Sequence, residues 1–216
     1  LATGILQLKP REESFYKILF EKLMKIDIIA LGEGQSDVEV AKAVFNKLIG
    51  ASNRFVIGFT DCEGFKNVEY MAKVITRLVE LLRKLKGMII IVDADEYTTE
   101  ARVKGIVDSL KSIGIAIEDV KAHSEQVFET EIHSNNRILK LVIAVNGDFT
   151  IPTRKHALED HCIKLMKIPI QSNIDSTKQV VKDIKECVKS IDTMPEDLVK
   201  NTFRHLYTAF QLLLKL

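Results

Sequence analysis

Two apolar runs in this chain empty into acidic residues. Met88-Ile89-Ile90-Ile91-Val92 leads into Asp93-Ala94-Asp95, and Ile28-Ile29-Ala30-Leu31 leads into Gly32-Glu33-Gly34-Gln35-Ser36-Asp37. Both runs are short and β-branched, the pattern of buried strands. If the two strands are neighbours in one parallel sheet, Glu33, Asp37, Asp93 and Asp95 converge at one edge. Four converging carboxylates repel one another unless something positive lies between them. A hard divalent cation with oxygen ligands, Mg²⁺ or Mn²⁺, meets that need. Glu33 stands between two glycines, which allow a tight turn and close approach of backbone to a phosphate. Gly34 and Ser36 are therefore the phosphate-binding candidates. Asp61 follows a further apolar run, Arg54 to Thr60, and is an additional candidate. The alternative for Asp37 is an acid in a first helical turn, favourable with the helix dipole.

These residues need a scaffold, and the hydrophobic periodicity supplies one. Phe15, Ile18, Leu19 and Leu23 have helical spacing and predict an N-terminal helix from Ser14 to Lys25. Ser36 and Glu39 form a capping-box pattern ahead of Val40, Val44 and Leu48. Val68, Met71, Ile75, Leu78, Leu82 and Leu85 predict one long helix over 67–86. Another amphipathic helix is expected from Glu100 to Ser112. The alternation of strands and helices, with near-continuous apolar strands, argues for a parallel sheet covered on both faces.

Beyond Gly114 the pattern changes. Extended segments are expected at Gly114 to Val120, Gln126 to His133 and Arg137 to Val145, with turns at Ser134-Asn135-Asn136 and Asn146-Gly147-Asp148. A helix is expected from Lys155 to Met166. Ser176 to Gln179 is a second capping box, opening a helix through Ile191, and Thr193 to Glu196 starts a last one. The expected organisation is an N-terminal helical segment (1–25), an α/β domain (26–170) and a C-terminal helical hairpin (171–216). The hairpin packs either on the chain's own sheet or at the interface of a homodimer.

The hydrophobic content of 46% is ample for a core, and no run approaches the ~18 apolar residues of a membrane span. No membrane partner is expected. A net charge of +1 neither favours nor excludes nucleic acid, since local patches decide that. Cys62, Cys162 and Cys187 are odd in number and irregularly spaced. They read as free thiols in a reducing compartment, hence a cytoplasmic protein, and no Cys/His cluster suggests zinc.

The two acidic elements carry a resemblance. The chain resembles the Toprim domain, the catalytic fold shared by topoisomerases, bacterial-type primases, OLD-family nucleases and some small RNA-maturation nucleases. That family carries a Glu-Gly-x-x-Asp element after its first strand, matched by Glu33-Gly34-Gln35-Ser36-Asp37, and an Asp-x-Asp after a later strand, matched by Asp93-Ala94-Asp95. The likeness covers roughly residues 26 to 165 and is similar to small stand-alone members related to the OLD nucleases. In that group a third acidic element lies in a helix, and Leu158-Glu159-Asp160 fits its place. The fold implied is Toprim-like (Rossmann-like), a mostly parallel central sheet with helices on both faces, here with a C-terminal helical extension. No Walker motif is legible, nor a segment suited to a topoisomerase tyrosine, so strand passage is not expected.

The resemblance implies that Asp37, Asp93, Asp95 and Glu159 are metal ligands, with Asp160 in addition, and that Glu33 is a ligand or proton-transfer group. One or two metals are compatible with this number of acids. Lys155, Arg154 and Lys164 are candidates for the cation that grips the phosphate, Lys155 foremost, with Arg102 and Lys104 behind them. The expected function is Mg²⁺-dependent phosphodiester chemistry on DNA or RNA, a nuclease. A metal-dependent binding module with little turnover and primase-like nucleotidyl transfer are the alternatives.

Overall fold

The structure is a computed structural model that describes residues 4–8, 21–50, 54–134, 136–170 and 174–215. Among the described residues, eight strands form one mixed sheet: β1 (Gly4–Leu8), β2 (Ile28–Gly32), β3 (Val56–Asp61), β4 (Gly87–Asp93), β5 (Ala116–Ile117), β6 (Lys121–Ser124), β7 (Val127–Ser134) and β8 (Arg137–Asn146). Their order is β1-β3-β2-β4-β8-β7-β5, with β6 beside β7. From β1 to β8 the pairings are parallel; β7, β6 and β5 form an antiparallel wing.

Among the described residues there are seven α-helices: α1 (Gln35–Leu48), α2 (Phe65–Leu78), α3 (Thr99–Ser112), α4 (Leu158–Met166), α5 (Ile184–Thr193), α6 (Glu196–Thr202) and α7 (Arg204–Leu214). Strand alternation assigns Met88, Ile90 and Val92 to the face under α2 and α3, and Ile89 and Ile91 to the face under α1 and α4 to α7. Burial on both sides explains why β2 and β4 read as unbroken apolar runs. Phe45, Phe59 and Phe210 join α1, β3 and α7 by tilted ring contacts of 5.1–6.3 Å between centroids.

From β2 the chain moves outward to β3, then crosses back over β2 to β4. Right-handed crossovers put α1 and α2 on opposite faces. The carboxyl ends of β2 and β4 thus flank a switch point, where open α/β sheets form their clefts.

Several expectations change. The predicted N-terminal helix falls mostly outside the described residues; within them Leu23–Lys25 is a 3-10 turn. Gly4–Leu8 is a strand paired with β3, so the N-terminal segment belongs to the sheet and is not simply helical. The predicted helix over 67–86 stops at Leu78 and continues as turns, because the Arg137 guanidinium donates to the carbonyls of Val79, Leu82 (2.9 Å), Arg83 (3.3 Å) and Leu85 (2.7 Å). The helix α1 starts at Gln35 with Gly34 as its cap, so Ser36 lies inside the first turn and is not the cap. Ser176 does cap, but only the 3-10 turn Thr177–Gln179; α5 begins later, at Ile184, behind Asp183. The helix expected from Lys155 begins at Leu158. The last predicted helix is two, broken at Phe203.

The cysteine reading is corrected as well. Cys162 and Cys187 form a disulfide between α4 and α5, and Cys62 is the free, buried thiol. Spacing of 25 residues carries no hint of this; the fold brings the two Cα atoms to 5.4 Å. No described helix is long and apolar enough to cross a membrane.

Candidate functional site

The turn after β2 delivers Glu33. Gly32 is needed there because a Cβ would lie 2.6 Å from Val38 Cγ2, so β2 and α1 meet without room for a side chain. Asp37, one turn into α1, accepts the Gly34 N–H at its Oδ2 (2.8 Å). The predicted phosphate-binding amide of Gly34 is therefore already engaged, and Ser36 sits half-buried beside it.

Asp93 closes β4 directly opposite Asn146, the last residue of β8. Asn146 Nδ2 donates to Asp37 Oδ1 (2.7 Å) and to Asp93 Oδ1 (3.3 Å). Asp93 Oδ1 also accepts the Leu158 N–H (3.0 Å), and its Oδ2 takes Lys178 Nζ at 2.7 Å. Glu33 Oε2 accepts from Arg102 (3.0 Å) and the Asp93 N–H (3.4 Å). Arg102 also reaches Asp95 Oδ2 at 3.4 Å and lies over the Phe65 ring. Asp95 has φ 54°, a left-handed conformation that Asp tolerates better than most residues. A two-way backbone pairing with His156 holds it there.

Glu159 enters from the first turn of α4. It is 7% exposed, and its Oε2 is buried without a hydrogen-bond partner. Burial, then the charge of Asp93, pushes its carboxyl up to about 7. Burial and Asp93 also drive Asp37 well above the usual carboxylate range. Glu33 is raised mainly by burial, with Arg102 opposing and Asp93 and Asp95 adding. For Lys178 burial acts downward but is outweighed, foremost by Asp93, so its ammonium is held above its ordinary value.

The structure thus gathers Glu33, Asp37, Asp93, Asp95 and Glu159 around the ends of β2, β4 and α4. It does not give Asp160 or Asp61 the same standing. Asp160 is fully buried and saturated: Oδ2 accepts the N–H groups of Asp148 (3.0 Å) and Ala157 (3.3 Å) and contacts His156 Nδ1 (3.0 Å), while Oδ1 accepts from Thr177 (2.6 Å). Asp61 holds its own turn through the Glu63 N–H (2.8 Å). Lys155 pairs with Glu96 (3.6 Å) and Asp175 (3.8 Å), and Lys164 with Asp148 (2.6 Å), so neither is the cation on the acids. Arg102 and Lys178 are. Arg102 was a lesser candidate; Lys178 and Asn146 were missed. The signal available for Asn146 was a polar residue ending the apolar run Arg137 to Val145, as Asp93 ends its own.

The family model described as a protein of unknown function, DUF3226, matches residues 29–211. The chain belongs to this family. The DUF3226 span runs from the strand that presents Glu33 through the helix that carries His205, so the whole acidic site lies within it. No curated protein and no solved structure matches the chain.

Whether the site suits a divalent ion turns on its donors. All are carboxylate oxygens, the set a hard cation takes, and the buried Glu159 Oε2 lacks any partner within the protein. Among the described residues, the three groups whose ligand atoms lie within 4.8 Å of one another are elsewhere, Glu118, Glu131 and His133 on the antiparallel wing. That set shares no member with the edge acids, whose charge is met here by Lys178 and Arg102.

Proposed function

We propose that this protein performs Mg²⁺- or Mn²⁺-dependent phosphodiester cleavage on nucleic acid, with a Toprim-like site. The observation that carries the reading is the buried, unpartnered Glu159 Oε2 among carboxylates forced to share one sheet edge. Asp37, Asp93, Asp95 and Glu159 would hold the ion, with Glu33 beside them. The ion, when bound, supplies charge neutralisation at phosphate oxygen and a more acidic bound water.

The chain's own groups divide the remaining work. Lys178, half-exposed at the edge of the cluster, has one donor on Asp93 and two more for a phosphate oxygen. Arg102 holds Glu33 and Asp95 in fixed orientation and limits their repulsion. Glu33, raised by burial, is the group for proton transfer. On the rim, Phe149 (49% exposed) lies 4.5 Å from the buried His156 ring, and Tyr97 (55% exposed) follows Asp95 closely. Exposed aromatic rings near a phosphate-handling site favour unpaired bases, which stack on them.

A metal-dependent binder with little turnover is the second reading, favoured by the Arg102–Glu33 ion pair, which ties up the proton-transfer candidate. Calorimetric titration of Mg²⁺ and Mn²⁺ into wild type and the double variant Asp93→Asn, Asp95→Asn, followed by cleavage assays on DNA and RNA, tests the proposal. Binding abolished in the variant supports it; no binding in wild type, with or without oligonucleotide, overturns it. Glu33→Gln then separates the two readings, since an enzyme loses cleavage and keeps binding.

A further inference from the structure

Asn146 is held from behind by a histidine that no part of the proposed chemistry uses. His205 lies in α7, 2% exposed, with Nε2 2.9 Å from Asn146 Oδ1. Asn146 turns its amide nitrogen toward two carboxylates, Asp37 and Asp93, so its oxygen must face the other way and needs a donor. A neutral His205 supplies one only as its Nε2–H tautomer, leaving Nδ1 as the nitrogen without a partner. The ring stacks on His161 at 4.3 Å. There the polarity is reversed, because His161 Nε2 accepts the Gly147 N–H at 3.2 Å. Two stacked, buried imidazoles in opposite tautomers therefore hold the adjacent residues Asn146 and Gly147, one by its side chain and the other by its backbone.

From this geometry we infer that His205 is a positioning residue for the acidic site, acting through Asn146. By fixing the amide, it presents one nitrogen to Asp37 and Asp93 together and keeps both oxygens in place against their mutual repulsion. A leucine at 205 fills space but leaves the amide free to turn. A glutamine carries an N–H donor of similar reach. The inference rests on the proposed function for its consequence, ion affinity, while the hydrogen-bond chain can be read without any ion.

The experiment is NMR on wild type, His205→Leu and His205→Gln, with Mn²⁺ titration by calorimetry on the same samples. In wild type, the His205 ring nitrogens should report the Nε2–H tautomer, and the Asn146 side-chain amide should be protected from solvent exchange. The opposite tautomer, or an unprotected amide, overturns the inference without any variant. His205→Leu should lose the protection and bind Mn²⁺ about ten- to a hundredfold more weakly, the usual effect of removing an outer partner of a metal ligand. His205→Gln should retain both. Equal behaviour of the two variants would make His205 a packing residue and overturn the inference. Wild type that binds no Mn²⁺ but keeps a His205-dependent Asn146 amide would sink the metal reading and leave the positioning role standing.

Discussion

Lys178 Nζ lies 2.7 Å from Asp93 Oδ2, a cation delivered by a 3-10 turn onto the acid that ends the central strand β4. Its charge serves the cluster in the place a divalent ion would serve it. Lys178→Met should therefore tighten Mg²⁺ or Mn²⁺ binding by roughly tenfold, about 1.4 kcal/mol for a competing charge that is itself partly solvated. Cleavage should fall at the same time. Weaker ion binding in the variant would show that Lys178 supports the ligands and does not compete with an ion.

Glu159 sets a pH dependence of stability. Its folded carboxyl titrates at about 7, above the ordinary 4.5, through burial and the charge of Asp93, with Asp160 adding and Lys178 opposing. The contribution is fully present below pH about 4.5, where both states are protonated, and declines as pH rises through about 7. The loss amounts to roughly 2–4 kcal/mol by pH 8, from a shift of two to three units. Glu159→Gln removes this term, so denaturant unfolding should show the variant gaining on wild type from pH 5 to 8. A difference independent of pH would exclude the buried, neutral carboxyl.

Thiol counting tests the disulfide. Native protein should show no free thiol until unfolded, and then one, Cys62, in the absence of reductant. A bond closing a loop of 25 residues stabilises by about 3 kcal/mol in the chain-entropy account. Reductant should lower Tm, and three free thiols on unfolding would restore the reading made from spacing alone.

Arg137→Ala removes one guanidinium from four carbonyls beyond α2. The cost should be about 2–3 kcal/mol, the order of leaving buried acceptors unsatisfied. Hydrogen exchange should rise in 79–86 before it rises in the sheet. Uniform exchange across the sheet would mean the segment is held by its leucines.

Phe149→Ala and Tyr97→Ala should weaken single-stranded oligonucleotide binding by about 1–3 kcal/mol per ring lost, with little change for duplex. Fluorescence anisotropy with matched single and double strands reads this directly. Equal losses on both would point to the backbone and not the bases.

The strands that present the acids were legible because their signal is local: unbroken Ile/Val runs ending at Glu33 and Asp93. So was the crowding of carboxylates, since parallel neighbours must share an edge. Of the two cations Arg102 was named, but Lys178 was not legible, and neither was His205. Lys178 is 85 residues from Asp93, and His205 is 59 from Asn146, and nothing in the sequence near either marks the partner. Asp160 misled because an acid in a first helical turn looks the same whether it serves a ligand or, as here, its own backbone. The helix over 67–86 was read too long because Leu82 and Leu85 keep the period while Arg137, distant in sequence, takes the carbonyls.

Lys178 and His205 come from segments that the sequence assigned to an appendage, yet both touch the groups at the heart of the sheet edge. Removing residues 178–214 would therefore leave Asp93 without its lysine and the Asn146 amide oxygen without its histidine, so the segment read as an appendage completes the sheet edge.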